Sequence, residues 1–290
     1  ATLRCVGIGR CRRKHGEGED HHDVMCPSYM VTLEEEHSTR GRAHLLWEML
    51  RRDGPVTEGW RDDGVKHALD LCLSCKGCKG DCPVNVDLAT YKAEFLAHYW
   101  KGRLRPRHAY AFGYIDKWAR LAARLPGLVN LLTQTPGASA LMKVLAGISL
   151  ESKIPAFAPQ TFRAMFRRRG ASPTTGGQRV VLWADTFNDH FFPDTLMAAV
   201  DVLEAAGYEV VVPPDGLCCG RPLYDFGMLD DARRYLDRVL HGMRPYLAER
   251  LPVVVLEPSC ASVFKDELYN LMPDSQDAAA LRDRTMLLSD

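Results

Sequence analysis

Apolar positions change their spacing along this chain. In the first part they recur at helical intervals: Ala43, Leu46, Trp47 and Leu50 form one stripe, and Leu88, Tyr91, Phe95 and Tyr99 form another. Ser38-Thr39 supplies an N-cap for the first stripe, which Gly54-Pro55 closes, and Asp87 caps the second. A helix over 62–73 is expected between them, and further helices near 106–124 and 137–148, broken by Pro and Gly. From residue 179 the period shortens. Residues 179–184 (RVVLWA) are a continuous apolar run of strand length, followed by a helix near 193–206, a strand over 208–212, a helix over 229–248, a strand over 252–256 and a helix after Ser259.

Strands alternating with helices predict a parallel α/β sheet, whose ligand sites lie beyond the carboxyl ends of the strands. Residues 185–190, the Cys218-Cys219 pair and Cys260 all fall in such loops, so three remote segments should converge on one sheet edge. The stretch 167–178 (RRRGASPTTGGQ) is rich in charge, Gly, Pro, Ser and Thr and reads as a linker. The expected class is therefore α + α/β, with a helical domain over 1–166, the linker 167–178 and an α/β domain over 179–290.

Composition narrows the function classes. In 290 residues, 46% hydrophobic and 26% charged content excludes a wholly disordered or collagen-like chain. Lys+Arg and Asp+Glu are equal at 37 each, but residues 1–170 hold 27 basic and 18 acidic groups, and residues 171–290 hold 10 and 19. A basic half could face nucleic acid, an anionic membrane or an acidic partner; two domains of different composition are the simpler reading. No nucleic-acid module is followed, so no nucleic-acid partner is expected. The start, ATLRC, lacks the apolar core of a secretory signal. The longest uncharged stretch, 125–142, carries Pro126, Gly127, Asn130, Gln134, Pro136 and Gly137 and makes a poor membrane span. A cytoplasmic protein with reduced thiols is expected, in which clustered cysteines read as metal-binding or catalytic.

Seven of the ten cysteines precede residue 83 and three follow residue 217. Cys72-Leu-Ser-Cys75-Lys-Gly-Cys78-Lys-Gly-Asp-Cys82-Pro83 is C-x2-C-x2-C-x3-C-P, the spacing that wraps three thiolates around one [4Fe–4S] cluster. The fourth cysteine of such a run serves the other cluster in two-cluster proteins. Gly77 and Gly80 should supply the backbone freedom of the loop, and Lys76 and Lys79 positive charge beside an anionic centre. A second run is interrupted: Cys5-Val-Gly-Ile-Gly-Arg-Cys11 has Ile8 at the middle position, and its closing Cys26-Pro27 follows an insertion rich in His and charge. Exchanging fourth ligands gives Cys26, Cys72, Cys75 and Cys78 for one complete site. Cys5, Cys11 and Cys82 remain for a second, incomplete one: a three-iron cluster, a four-iron cluster completed by His15, His21, His22 or an outside group, or an empty vestige. Cys218, Cys219 and Cys260 form a third candidate metal or thiol site, with a strained vicinal disulfide as the plainer alternative. His190 and Asp185 fall near the same edge, although a histidine there is more commonly a hydrogen-bonded structural one. Arg40 and Arg42 are read either as a clamp for an anionic acceptor or as surface charge.

Together these motifs resemble the iron–sulfur part of FAD-linked D-2-hydroxyacid dehydrogenases of the D-2-hydroxyglutarate or D-lactate type. They are also similar to the iron–sulfur subunits of glycolate oxidase, anaerobic glycerol-3-phosphate dehydrogenase and heterodisulfide reductase. The resemblance rests on MCPSYM (25–30), HSTRGRA (37–43), LCLSCKGCKGDCPVNVD (71–87), ATYKAEFLAH (89–98), LCCGRPLYDFGMLD (217–230) and EPSCASVF (257–264), and covers essentially the whole chain. It implies an all-helical, two-cluster ferredoxin-like domain followed by a cysteine-rich CCG domain. It also implies an electron-transfer role: FAD in a flavin domain outside this sequence oxidises a 2-hydroxy acid, and electrons leave through the clusters to a quinone pool or another carrier. Peripheral contact with the inner membrane face fits that role. The chain departs from the CCG pattern at Thr186, where relatives place a Cys, at Val263, where they place the second Cys of a closing C-x2-C pair, and in having one CCG repeat. Those departures leave zinc or bare thiols as alternatives at Cys218, Cys219 and Cys260. Two other functions compete: a zinc-stabilised, non-catalytic binding module, and a thiol-redox enzyme working through Cys218 and Cys219.

Overall fold

The computed structural model describes residues 4–13, 24–51, 56–170 and 176–290. His15, His21, His22 and the Gly54-Pro55 stop lie outside these, as do residues 171–175 of the expected linker. The chain divides into two compact units. One comprises residues 1–104 and 224–229, the other residues 105–223 and 230–290.

The first unit is helical. Its elements are α1 (Pro27–Thr32), α2 (Thr39–Arg51), α3 (Asp63–Asp70), α4 (Gly77–Asp81) and α5 (Leu88–Tyr99). Asp62 caps α3 by accepting from Val65 N at 2.9 Å, and Asp87 caps α5 by accepting from Thr90 N at 3.1 Å. These side chains satisfy amides that a helix start cannot pair internally. The apolar stripes meet in one core: Ala43, Leu46 and Met49 of α2 pack with Val65 and Leu69 of α3 and with Leu88 and Phe95 of α5. Cys11, Cys26 and Cys78 are buried in that core, so the thiols are part of the packing.

The second unit opens with α6 (Arg107–Gly113), α7 (Ile115–Ala122), α8 (Pro126–Gln134), α9 (Pro136–Ala146) and α10 (Phe162–Arg169). Arg167–Arg169 therefore complete a helix. Four parallel strands follow, β1 (Gln178–Trp183), β2 (Tyr208–Val211), β3 (Val253–Val255) and β4 (Thr285–Leu287), in the order β2-β1-β3-β4. The connecting helices include α11 (Thr186–His190), α12 (Pro193–Ala205), α13 (Arg221–Asp225), α14 (Leu229–Ala248) and α15 (Pro258–Ser262). The unbroken apolar run of β1 has a simple cause, burial on both faces. Val181 and Trp183 pack with Leu236, Val239 and Met243 of α14, whereas Val180 and Leu182 pack with Phe162 of α10 and with Leu196 and Val200 of α12. The fold class is thus helical with a small parallel sheet, as the alternating periods predict. The pattern missed β4, whose three residues are too short for a period, and α8, where Pro126 starts a helix at its first turn instead of breaking one.

Two contacts give measurable consequences. Gly227 has φ +67°, and a Cβ there would meet Ala97 N at 2.5 Å and Leu96 Cβ at 2.7 Å in α5. Gly227→Ala should therefore cost about 2 kcal/mol or more, read from denaturant unfolding. In the second unit Tyr114 donates to Asp231 at 2.8 Å, and burial followed by that hydrogen bond pushes the phenol from 10.0 up to about 12. A folded-state pKa raised above its unfolded value gives stability that is complete below pH 10.0 and is lost as pH rises towards about 12. Tyr114→Phe should lower the melting temperature at neutral pH yet flatten its decline across that alkaline window.

Candidate metal centres

In the first unit, helix starts hold the sulfur atoms. Thr39 N, the first amide of α2, donates to Cys26 Sγ at 2.9 Å, and Arg40 N, the second, donates to Cys11 Sγ at 3.3 Å. Leu88 N, the first amide of α5, donates to Cys78 Sγ at 3.4 Å. The first amides of a helix lack carbonyl partners and carry the positive end of its dipole, which suits them to anionic sulfur. Two small cavities lie among these thiols. Cys26, Cys72, Cys75 and Cys78 line one, together with Thr39, Arg42 and Leu88. Cys5, Cys11 and Cys82 line the other, with Ile8, Thr39 and Arg40.

The loop around the first cavity is bent at unexpected residues. Ser74 (φ 53°), Lys76 (φ 61°) and Cys26 (φ 57°) adopt the left-handed conformation, whereas Gly77 and Gly80 lie inside α4. Gly77 is needed for space instead, since a Cβ there would meet Val24 Cγ2 at 2.8 Å. Lys92 Nζ donates to Cys72 O at 2.7 Å and braces the loop from α5. Lys76 and Lys79 reach Asp87 at 3.3 and 3.7 Å. Arg42 is buried, its Nε donating to Ala68 O at 2.7 Å and its NH2 group to Ser28 Oγ at 2.9 Å, so it fastens the segment before Cys72. Arg40 pairs with Glu35 at 2.6 Å, and it is its backbone that serves Cys11. Beside Cys5 an open cavity of about 580 Å³ is walled by Arg40, His44 and Trp47.

Two of these thiols, Cys11 and Cys26, hydrogen-bond to each other and are pushed in opposite directions. The hydrogen bond from Cys26 holds Cys11 down to about 6 against the opposing effect of burial. The same bond, with burial, drives Cys26 upward. Burial pushes Cys78 up to about 12. A neutral, metal-free group of thiols is thus poorly matched to its surroundings, while a cationic core bound to thiolates satisfies both the burial and the three N–H donors. The donor set fits an iron–sulfur cluster.

In the second unit, β1 lies between β2 and β3, so the chain changes winding direction at the β1–β3 boundary. Loops leaving adjacent strands on opposite sides diverge there and leave a crevice. Cys219 Sγ lies 2.9 Å from Cys260 Sγ, and Cys218 hydrogen-bonds to Cys219 and to Thr186. The three cysteines are thus brought together as free thiols. All three are pushed up. For Cys218 the bond with Cys219 leads, followed by burial. For Cys219 the bond with Cys218 pulls down, but the bond with Cys260 and burial outweigh it. For Cys260 burial and neighbouring charge outweigh the downward pull of the bond with Cys219. Asp185, which caps α11 through Phe187 N and Asn188 N at 3.0 Å, and Glu257, which caps α15, add negative charge near Cys260. Three thiols with two carboxylates suit a cation.

His190 stands elsewhere. It lines a cavity of about 400 Å³ with Arg120, Arg124, Arg163, Asp189 and Asp215, which none of the three cysteines lines. Its Nε2 is 3.9 Å from Asp189, its Nδ1 is buried without a partner, and burial lowers its pKa. Sequence reasoning found the cysteines but not the amides of Thr39, Arg40 and Leu88; the only signal was that each follows a predicted cap.

Comparison with known proteins agrees with this chemistry. Residues 1–86 match the 4Fe-4S dicluster domain. D-2-hydroxyglutarate dehydrogenase of Pseudomonas putida is 26% identical over 94% of this chain and 30% of its own length. The probable glycolate oxidase iron-sulfur subunit of Bacillus subtilis is 28% identical over 75% of this chain and 48% of its own length. Lactate utilization protein A of Bacillus velezensis is 31% identical over 39% and 47%. No solved structure matches. The chain thus spans about a third of the length of the D-2-hydroxyglutarate dehydrogenases it matches. Among the described residues no helix is long and apolar enough to cross a membrane. Residues 1–86 thus carry the pattern of a 4Fe-4S dicluster domain, in a chain similar to D-2-hydroxyglutarate dehydrogenases and to the iron–sulfur subunit of glycolate oxidase.

Proposed function

We propose that this chain is the electron-transfer module of a flavin-dependent D-2-hydroxyacid dehydrogenase. In this reading its first unit is a ferredoxin-like, two-cluster domain and its second contains a CCG domain. Cys26, Cys72, Cys75 and Cys78 hold one [4Fe–4S] cluster, and Cys5, Cys11 and Cys82 offer three ligands to a second. The observation that carries the reading is the separation of these seven cysteines into two sets around two cavities, inside residues matching a dicluster domain. Cys218, Cys219 and Cys260 hold a further metal, for which zinc and iron–sulfur are both chemically suitable.

The clusters supply reversible one-electron transfer. The residues of this chain hold the sulfur atoms, donate N–H bonds to Cys11, Cys26 and Cys78, and exclude water with the apolar core of α2, α3 and α5. Such donors and such burial set a cluster's potential. The partner that feeds electrons in is a flavin component, where FAD carries the hydride chemistry on the 2-hydroxy acid. The open cavity beside Cys5 gives a quinone or another carrier a place to approach, in the cytoplasm or at the inner membrane face.

Oxygen-free purification should give brown protein with at least about four irons per chain and a paramagnetic signal on reduction. Cys75→Ser should lose about four of those irons while keeping its helical circular dichroism. Colourless anaerobic protein carrying stoichiometric zinc in place of iron would overturn the reading.

A further inference from the structure

A second kind of donor cluster, containing no cysteine, sits in the first unit. Glu36 and His37 belong to a 3-10 turn, Glu35–His37, that leads directly into α2, and His67 lies on α3. Glu36 Oε1 is 3.8 Å from His37 Nε2, and Glu36 Oε2 is 3.7 Å from His67 Nδ1. One ligand atom from each residue fits within 4.8 Å of the other two.

The histidine at the base of this group has an orphaned nitrogen. His37 is 3% exposed, and its Nε2 is buried without a hydrogen-bond partner. Its Nδ1 lies 2.9 Å from Thr32 Oγ1. Thr32 donates its single hydroxyl proton to Ser28 O at 3.0 Å, so towards His37 it must accept. Nδ1 therefore carries a proton and donates it to Thr32. Nδ1 also faces Glu34 Oε2 at 3.5 Å, and Nε2 is left facing Glu36 as a buried polar atom with no hydrogen-bond partner. Metal-binding histidines have this same orientation, with the far nitrogen donating to an oxygen that sets the tautomer.

We propose that Glu36, His37 and His67 bind a divalent transition-metal ion, with zinc as the test ion. Two imidazoles and a carboxylate are borderline donors suited to such ions, and three protein ligands leave a position for water. Tetrahedral zinc places its donor atoms roughly 3.3 Å apart, so the group must contract slightly. His67 and Glu36 can supply that movement because their side chains are 71% and 40% exposed, while Thr32 keeps His37 in place. The bound ion ties the turn before α2 to α3. Those two segments carry the amides of Thr39 and Arg40 that hold Cys26 and Cys11, and the helix that ends just before Cys72. The ion would therefore brace the frame on which the cysteines hang, a role additional to electron transfer and independent of it.

The test is a zinc titration of the iron-loaded full chain after chelator treatment, with bound zinc counted by mass spectrometry and melting followed with and without the ion. His67→Ala and Glu36→Gln alter exposed or half-exposed side chains and should fold. Wild type should bind one zinc more than either variant, or bind that equivalent at least about tenfold more tightly, and only wild type should gain thermal stability from it. Iron content and colour should be equal in all three. The zinc X-ray absorption difference between wild type and His67→Ala should show nitrogen and oxygen neighbours only. Equal zinc stoichiometry and affinity in the three proteins, or sulfur neighbours in the difference, would overturn the proposal.

Discussion

Backbone amides at helix starts aimed at thiol sulfur are the constraint on which the first unit depends. A buried thiolate is unstable without donors, and a helix start with unpaired amides is unstable without acceptors. Joining Thr39 and Arg40 to Cys26 and Cys11, and Leu88 to Cys78, answers both needs at once. It also fixes where the chain must turn. Cys26 immediately precedes α1 in a left-handed conformation, and Cys78 lies in the short α4 behind two left-handed residues, because only such bends return sulfur towards a helix that starts elsewhere in the sequence. The opposite shifts of Cys11 and Cys26 have the same origin. Two hydrogen-bonded acids, each lining its own cavity, separate into one that ionises readily and one that resists. Metal ions bound to both sulfur atoms would remove the conflict by replacing the proton.

The second unit gathers its cysteines by topology. The sheet order β2-β1-β3-β4 places the loops after three strands around one crevice, and the amides of Gly220 and Arg221 then donate to Cys218 and Cys219. The carboxylates Asp185 and Glu257 cap α11 and α15 there, and both act against ionising Cys260. Helix capping and cation attraction thus use the same two side chains. His190, at the end of α11, opens onto an arginine-lined cavity that Ala184, Thr186 and Leu217 also line but none of the three cysteines does.

What could be read in the sequence was whatever depends on spacing along it. The C-x2-C-x2-C run, the Asp87 cap and the two-faced apolar strand β1 are local patterns with local causes. The left-handed bends escaped because they fall on Ser74 and Lys76, residues whose side chains give no hint of that geometry, while the glycines that do are used inside α4. Residues 224–229 joining the first unit could not be foreseen, since it depends on Gly227 approaching the backbone of α5 across a long sequence separation. The Glu36, His37 and His67 group was hidden for the same reason: two of its members are adjacent in sequence and the third arrives with another helix.

Gly41 shows how closely these parts are coupled. It lies in the first turn of α2, one residue after Arg40, and a Cβ there would overlap the carbonyl of Glu35. Only glycine lets the 3-10 turn fold back against the helix it precedes. Ser38 reinforces the fold-back, donating from Oγ to Glu35 O at 2.8 Å and accepting from Gly41 N at 2.9 Å. The turn that carries Glu36 and His37 is therefore rigidly joined to the amides of Thr39 and Arg40. A displacement of that turn cannot be absorbed locally, and must pass through Ser38 to the sulfur atoms of Cys26 and Cys11. The short HSTRGRA segment thereby carries a buried histidine, a cap, two sulfur-binding amides, a close-packing glycine and the buried Arg42 that fastens α3, with no position in it free to serve only as a spacer.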